Sequence, residues 1–160
     1  MPKGAGKGRI AGRERNEPKG TQGAFRVTGI GGVFLRARNQ RRLLLWYERY
    51  LGIRLEEFGG VTFFGNENPR GRVAGSTTWG LFPQDTDYFG DRRQAAMINY
   101  RVENLDGILA RLRRARVPID PHQETADNGR FAWACDPEGN RFELWEPRET
   151  GRGVRRRRAP

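Results

Sequence analysis

Glu143 is the residue of this chain best placed to do chemistry. It lies in the run GRFAWACDPEGNRFELWEP, residues 129–147, among Trp133, Phe142 and Trp145. Aromatic neighbours desolvate a carboxylate and raise its pKa toward the range where a general base works. Such a group can accept a proton from a substrate or anchor a donor group of a ligand. The structural alternative is a strand carboxylate paired with Arg101 or Arg141, because ion pairs also perturb acids. His122 is the only histidine. It sits between Pro121 and Gln123 in a short edge segment and reads as a solvated or packing side chain. Cys135, the only cysteine, excludes an internal disulfide and reads as an inert thiol in an apolar strand. No glycine-rich phosphate loop opens a helix, and the glycines of GAGKGR have no strand before them.

The element that must position Glu143 is a β-hairpin. Residues 131–135 and 141–146 are rich in aromatic and apolar types, with Asp-Pro-Glu-Gly-Asn between them. Pro137 suits the second position of a type I turn, and Gly139 supplies the positive φ that returns the chain with a bulge. Pairing Asp136 with Asn140 sets Cys135 against Arg141, Trp133 against Glu143 and Phe131 against Trp145. Side chains alternate across a strand. One face therefore carries Phe131, Trp133, Glu143 and Trp145, and the other carries Ala132, Ala134, Phe142 and Leu144. The first suggests a pocket wall and the second a seat for a helix. A slip of one residue would exchange them.

The rest of the chain supplies matching elements. Residues 25–37 read as a strand whose Gly31-Gly32 pair suggests a bulge or a close backbone approach. Asn39 can cap a helix that carries Leu43, Trp46, Tyr47, Tyr50 and Leu51 on one face and closes at Gly52. Residues 54–58 and 61–64 read as strands joined by a Gly59-Gly60 turn, residues 66–73 as a polar loop, and residues 76–82 as a further strand. Residues 83–93 form a linker. Then the pattern repeats: a strand at 96–102, a helix capped by Asn104 with Leu105, Ile108, Leu109 and Leu112 on one face, a short strand within 117–125, and the hairpin. Each half runs strand, helix, three strands, and two such modules bury their apolar faces together.

Charge is concentrated at the ends. Of 30 Lys/Arg and 19 Asp/Glu, residues 1–26 hold seven and two, and residues 148–160 hold six and one. Each end is thus +5 and the remainder about +1, so the pI of 11.0 belongs to the tails. Residues 1–24 form a basic tail and residues 148–160 an Arg-rich one, both expected to be disordered. They could touch nucleic acid weakly through counterion release, although a solvated tail with no specific partner is the plainer reading. No run is long enough to span a membrane, and no apolar leader precedes the domain. A reducing cytoplasm is the default compartment.

The two βαβββ modules, the phrase LLLWYERYLGI after IGGVFL, MINYRVENLD, and GRFAWACDPEGNRFELWEP resemble the vicinal-oxygen-chelate superfamily of glyoxalase I, bleomycin-resistance proteins and extradiol dioxygenases. The similarity covers about residues 27–147 and is strongest to small bacterial glyoxalase-like proteins. It implies an α+β fold over residues 25–147, with modules 25–83 and 94–147 forming curved mixed sheets around a concave ligand cleft, and often a homodimer. It places metal-ligand positions near Gly32, within residues 76–82, at Met97 and at Glu143. Only Glu143 is a ligand-type residue there, and a lone carboxylate does not hold a catalytic ion. No metal and no cofactor is therefore expected. The implied cleft is lined by Phe34, Trp79, Met97, Phe131, Trp133 and Trp145, with Arg36, Asn99, Arg101 and Glu143 as polar points and Glu143 as the catalytic candidate. Few polar groups among aromatics is how a small-molecule site is built. The expected function is binding a small, planar or partly aromatic molecule. A glyoxalase-class lyase or isomerase is the alternative, and a nucleic-acid-associated role for the tails is the third.

Overall fold

A computed structural model describes residues 25–65 and 75–148. Residues 1–24 and 149–160 of the tails and the expected loop at 66–73 lie outside the described residues. The elements in chain order are β1 (Arg26–Ala37), α1 (Gln40–Leu51), β2 (Gly60–Phe64), β3 (Ser76–Pro83), β4 (Ala96–Glu103), α2 (Leu105–Arg114), β5 (Ile119–Ala126), β6 (Gly129–Cys135) and β7 (Arg141–Pro147). The strands form one seven-stranded mixed sheet in the order β2-β3-β1-β4-β7-β6-β5.

The sheet is built around an antiparallel seam between β1 and β4. On one side β1 pairs parallel with β3, and on the other β4 pairs parallel with β7. Then β2 pairs antiparallel with β3, as β6 does with β7. A helix follows each seam strand and crosses over to the parallel partner's side, so the two halves repeat one plan. The expected two-module α+β architecture is therefore present, in a single sheet. One expected strand is missing from it. Residues 54–58 form no ladder. Instead Glu56 N–H donates to Gly60 O, Gly59 N–H donates back to Glu56 O, and the Glu56 carboxylate accepts from Thr62 N–H. Gly59, at φ 82°, makes this tight turn, and Gly60 already belongs to β2. Among the described residues only the second module has a fourth strand, β5, and its exposed Pro121 lies at a register shift, where a residue without an N–H costs no ladder bond.

Both helices begin at the expected asparagines. Asn39 Oδ1 accepts from Arg42 N–H at 2.9 Å, and Asn104 Oδ1 accepts from Gly107 N–H at 3.0 Å. Gly52, at φ 66°, ends α1. The helices differ in how they are seated. Leu105 and Leu109 of α2 are buried against Val102, Ala132 and Leu144, with Tyr100, Ile108, Leu112, Ile119 and Phe142 around them. The α2 start is tied down as well: Glu146 accepts from Leu105 N–H, and Arg130 bridges Glu146 and Asp106. By contrast, α1 buries no residue fully, although Tyr47 packs edge-on to Trp79 of β3. Leu45, Trp46, Tyr50 and Leu51 stay exposed, so most of the apolar face read from the sequence is uncovered. All the exposed large hydrophobic side chains of the described residues lie within 27–64.

The hairpin that carries Glu143 has the expected register, with Cys135 opposite Arg141, Trp133 opposite Glu143 and Phe131 opposite Trp145. Asp136 N–H donates to Asn140 O, and Gly139 takes φ 85°. The Asp136 carboxylate accepts from the Asn140 side-chain amide and from the N–H groups of Asn140 and Glu138, which holds its pKa down and locks the turn. Ala132 and Leu144 duly seat α2. The opposite side of the sheet carries Glu143.

Candidate functional site

The site starts from two glycines. Two register shifts interrupt the seam; Thr28 is the extra residue of the first and Gly31 of the second. A Cβ on Gly31 would lie 2.2 Å from Asn99 Oδ1 and 2.8 Å from the Trp145 ring. The missing side chain is what lets these two groups close over β1. Past the bulge, Gly32 pairs with Asn99 and with Thr78, Asn99 pairs with Glu143, and Glu143 pairs with Trp133. One row of the sheet thus runs Thr78, Gly32, Asn99, Glu143, Trp133. The bulge sets this register, and it puts Asn99 in the row, with Met97 two residues earlier on the same face.

Glu143 is buried, at 2 % exposure, and neither Arg101 nor Arg141 pairs with it. Asn99 Nδ2 donates to Glu143 Oε2 at 2.7 Å, and the Tyr88 hydroxyl donates to Glu143 Oε1 at 2.5 Å. Burial pushes the Glu143 pKa above the usual carboxylate range. The two donated bonds oppose that shift, and the Glu124 charge adds to it. The Tyr88 phenol is driven strongly upward, first by its own burial and then by the Glu143 charge, so it stays a donor. Two polar atoms beside this pair are buried with no hydrogen-bond partner: Asn99 Oδ1 and Trp133 Nε1. Trp133 Nε1 is near enough to the Tyr88 hydroxyl to ease its pKa back slightly, yet the two make no well-formed hydrogen bond. Asn99 is 4 % exposed and Trp133 2 %.

Tyr88 was not legible as a site residue. It comes from the stretch read as a linker, which turns Tyr88 and Phe89 onto this face of the sheet. Tyr88 stacks on Phe82 at 5.0 Å and meets Trp133 edge-on at 5.8 Å. Phe89, Met97 and Trp133 form a buried cluster flanked by Phe34, Phe82, Tyr88 and Phe131. The available signal was the DYFG run itself, two adjacent aromatics in an otherwise polar segment.

The other expected site residues divide into three groups. Phe34, Met97, Asn99, Phe131, Trp133 and Trp145 share the Glu143 side of the sheet. Phe131 stacks on Trp145 at 6.3 Å, and Trp145 Nε1 donates to Asn128 O. Arg36 and Arg101 also face this side, but as clamps. Arg36 donates to the carbonyls of Gln84, Thr86, Asp91 and Gln94, with its guanidinium over the Phe89 ring. Arg101 Nη2 donates to Ile30 O and Ser76 O, across the β1–β3 edge. Trp79 faces the helices, where it meets Tyr47, so the structure does not bring it to the site. His122, read as a solvated or packing side chain, is exposed and stacks on Trp133 at 5.4 Å. Arg141, paired with Asp120 at 2.6 Å, lies over the same indole. A groove of ≈ 560 Å³ runs along α1 between Arg38, Arg42, Trp46 and Tyr50, on the other side of the sheet from Glu143.

The row does not suit a divalent ion. Among the described residues no group of three His, Cys, Asp or Glu side chains could hold one. Gly32, Thr78 and Asn99 add no anionic donor to Glu143, whose oxygens already accept two hydrogen bonds.

The burial of Glu143 has a pH signature. Its folded pKa is raised, so its contribution to stability is fully present below the ordinary value of 4.5 and is lost as pH rises through the raised value. The lowered carboxylates, Asp91, Glu103, Asp106, Asp120 and Asp136, act with the opposite sign. They cancel in a comparison with Glu143→Gln. The wild-type melting temperature should therefore fall relative to that of Glu143→Gln as pH is raised above 4.5 and through the raised value. Melts at a series of pH values check this, and parallel curves would remove the buried-acid assignment.

Sheet order and seam together give the glyoxalase-like fold. Two solved structures with TM-scores above 0.5 share this fold. The chain is similar to Streptomyces coelicolor methylmalonyl-CoA epimerase in complex with 2-nitronate-propionyl-CoA, with 14% identity and a TM-score of 0.53, over 76% of this chain and 99% of that one. It is likewise similar to a methylmalonyl-CoA epimerase in complex with methylmalonyl-CoA and NH4+, with 14% identity and a TM-score of 0.54, over 78% and 97%. A glyoxalase/bleomycin resistance protein/dioxygenase superfamily member from Vibrio splendidus 12B01 matches at 12% identity and a TM-score of 0.45, over 77% and 99%. No protein-family model and no curated protein matches the sequence. At these identities the likeness is one of fold.

Proposed function

We propose that this chain binds a small planar molecule at Glu143, on the sheet face opposite the helices, without a resident metal. The observation that carries this reading is the pair of unpartnered buried atoms, Asn99 Oδ1 and Trp133 Nε1, on the two strands flanking Glu143. An unmade buried hydrogen bond costs about 1–3 kcal/mol, and folded proteins keep few of them. An acceptor, a donor and a carboxyl converging among aromatic rings match a ligand that supplies the missing partners. The raised pKa of Glu143 supports a second reading on the same site: proton transfer, as in a lyase or isomerase.

One pair of measurements tests both. A planar ligand that reaches the site should quench tryptophan fluorescence, and Trp133→Phe should remove most of that quench. Glu143→Gln keeps shape and hydrogen bonding but cannot act as a base. A binding protein should lose affinity by no more than about tenfold, a cost of roughly 1.4 kcal/mol. An enzyme should keep binding and lose turnover by about 100-fold or more. A ligand screen with no quench in the wild type would end the reading.

A further inference from the structure

The segment between β3 and β4 makes no strand pairing. Backbone turns and the four carbonyl contacts of Arg36 hold it to the sheet, while Gln84, Asp85, Asp87 and residues 90–93 face solvent. Through Tyr88 this segment places a phenol in the site. The ring stacks on Phe82 with 10° between the planes, meets Trp133 edge-on, and gives its hydroxyl proton to Glu143. A protein holds a separate phenol by this same set of contacts: a stacked ring, an edge contact, and a carboxyl accepting the hydroxyl. The fit is also incomplete. A tyrosine selected only for packing would be expected to satisfy the polar atom it covers, yet Trp133 Nε1 makes no well-formed hydrogen bond to its hydroxyl, and Asn99 Oδ1, on the other donor to Glu143, is unpaired as well.

We propose that Tyr88 is a built-in stand-in for the ligand, and that the ligand is a hydroxylated aromatic molecule that displaces it and carries a further hydrogen-bonding group for Asn99 Oδ1 or Trp133 Nε1. This rests on the site reading above and names its ligand class. Tyr88 and the ligand compete for one place, so the chain's affinity is the intrinsic affinity reduced by the fraction of molecules with Tyr88 withdrawn. Arg36 sets that fraction through the four carbonyls it holds.

The probes are p-cresol, the free equivalent of the tyrosine side chain; salicylamide, which adds an amide donor and acceptor; and toluene, which lacks the hydroxyl. Titration calorimetry with the full chain should show wild-type binding of salicylamide ahead of p-cresol, with toluene silent. Tyr88→Ala should bind both phenols at least tenfold more tightly. In the wild type, salicylamide should also raise amide hydrogen exchange across residues 84–93. If Tyr88→Ala does not fold, Tyr88→Phe keeps the ring, releases the Glu143 bond, and should tighten salicylamide binding by several-fold. Phenols that bind Tyr88→Ala but not the wild type would show a permanent core tyrosine and overturn the proposal. A non-phenolic planar ligand that quenches Trp133 without affecting residues 84–93 would leave the site standing and remove the stand-in. No binding to either protein would remove both.

Discussion

Trp133→Ala is expected to cost about 3–5 kcal/mol of folding stability, the usual range for truncating a buried tryptophan. The indole is 2 % exposed and touches four groups at once: Tyr88 edge-on, His122 stacked, the Arg141 guanidinium, and Glu143 as its cross-strand neighbour. Truncation leaves a cavity beside a buried carboxyl and frees the Tyr88 ring on one side. Trp145 is only half-buried, with its Nε1 on Asn128 O at the sheet end, so Trp145→Ala should cost clearly less. Urea denaturation of both variants provides the check. Equal losses would mean that the buried cluster around Phe89, Met97 and Trp133 does not carry this face of the fold.

Gly31→Ala should have the second large effect, for the opposite physical reason. The added methyl would sit 2.2 Å from Asn99 Oδ1 and 2.8 Å from the Trp145 ring, well inside contact distance. Either the bulge flattens or Asn99 and Trp145 move, and overpacking of this kind costs about 1–3 kcal/mol. The site should suffer beyond that, because Asn99 is one of the two donors on Glu143. The expected result is a loss of ligand affinity larger than in Gly52→Ala, where a Cβ meets nothing within 4 Å and the cost is confined to the left-handed φ of 66°. If Gly31→Ala binds ligand and melts like the wild type, the bulge does not position Asn99.

The hairpin was legible in the sequence down to its register, because its turn chemistry and its two-residue alternation both pointed to one pairing. The Gly31-Gly32 bulge and both asparagine caps were legible for the same local reason. Three features were not. Residues 54–58 have strand composition, but the Glu56 side chain and Gly59 close a turn before a ladder can form. Trp79 stood in the cleft that the resemblance implied. Strand alternation puts it beside Val33 and Val61, on the side of α1. Tyr88 was missed because its role depends on a contact across 55 residues, and no periodicity reports on a turn that folds back over a sheet. Arg36 belongs with it: read as a ligand-facing charge, it holds the backbone that delivers Tyr88.

The seam between β1 and β4 also sets a schedule for the growing chain. Synthesis delivers the N-terminal half first. That half holds all the exposed large apolar side chains of the described residues and a helix with no fully buried residue, and its strand β1 lacks one neighbour until β4 arrives. Glu143 emerges later still, 44 residues after Asn99 and 55 after Tyr88. Until then Asn99 and Tyr88 have no carboxylate to bond. A ribosome stalled anywhere before the last hairpin therefore holds a sticky half-sheet without the buried carboxyl of Glu143.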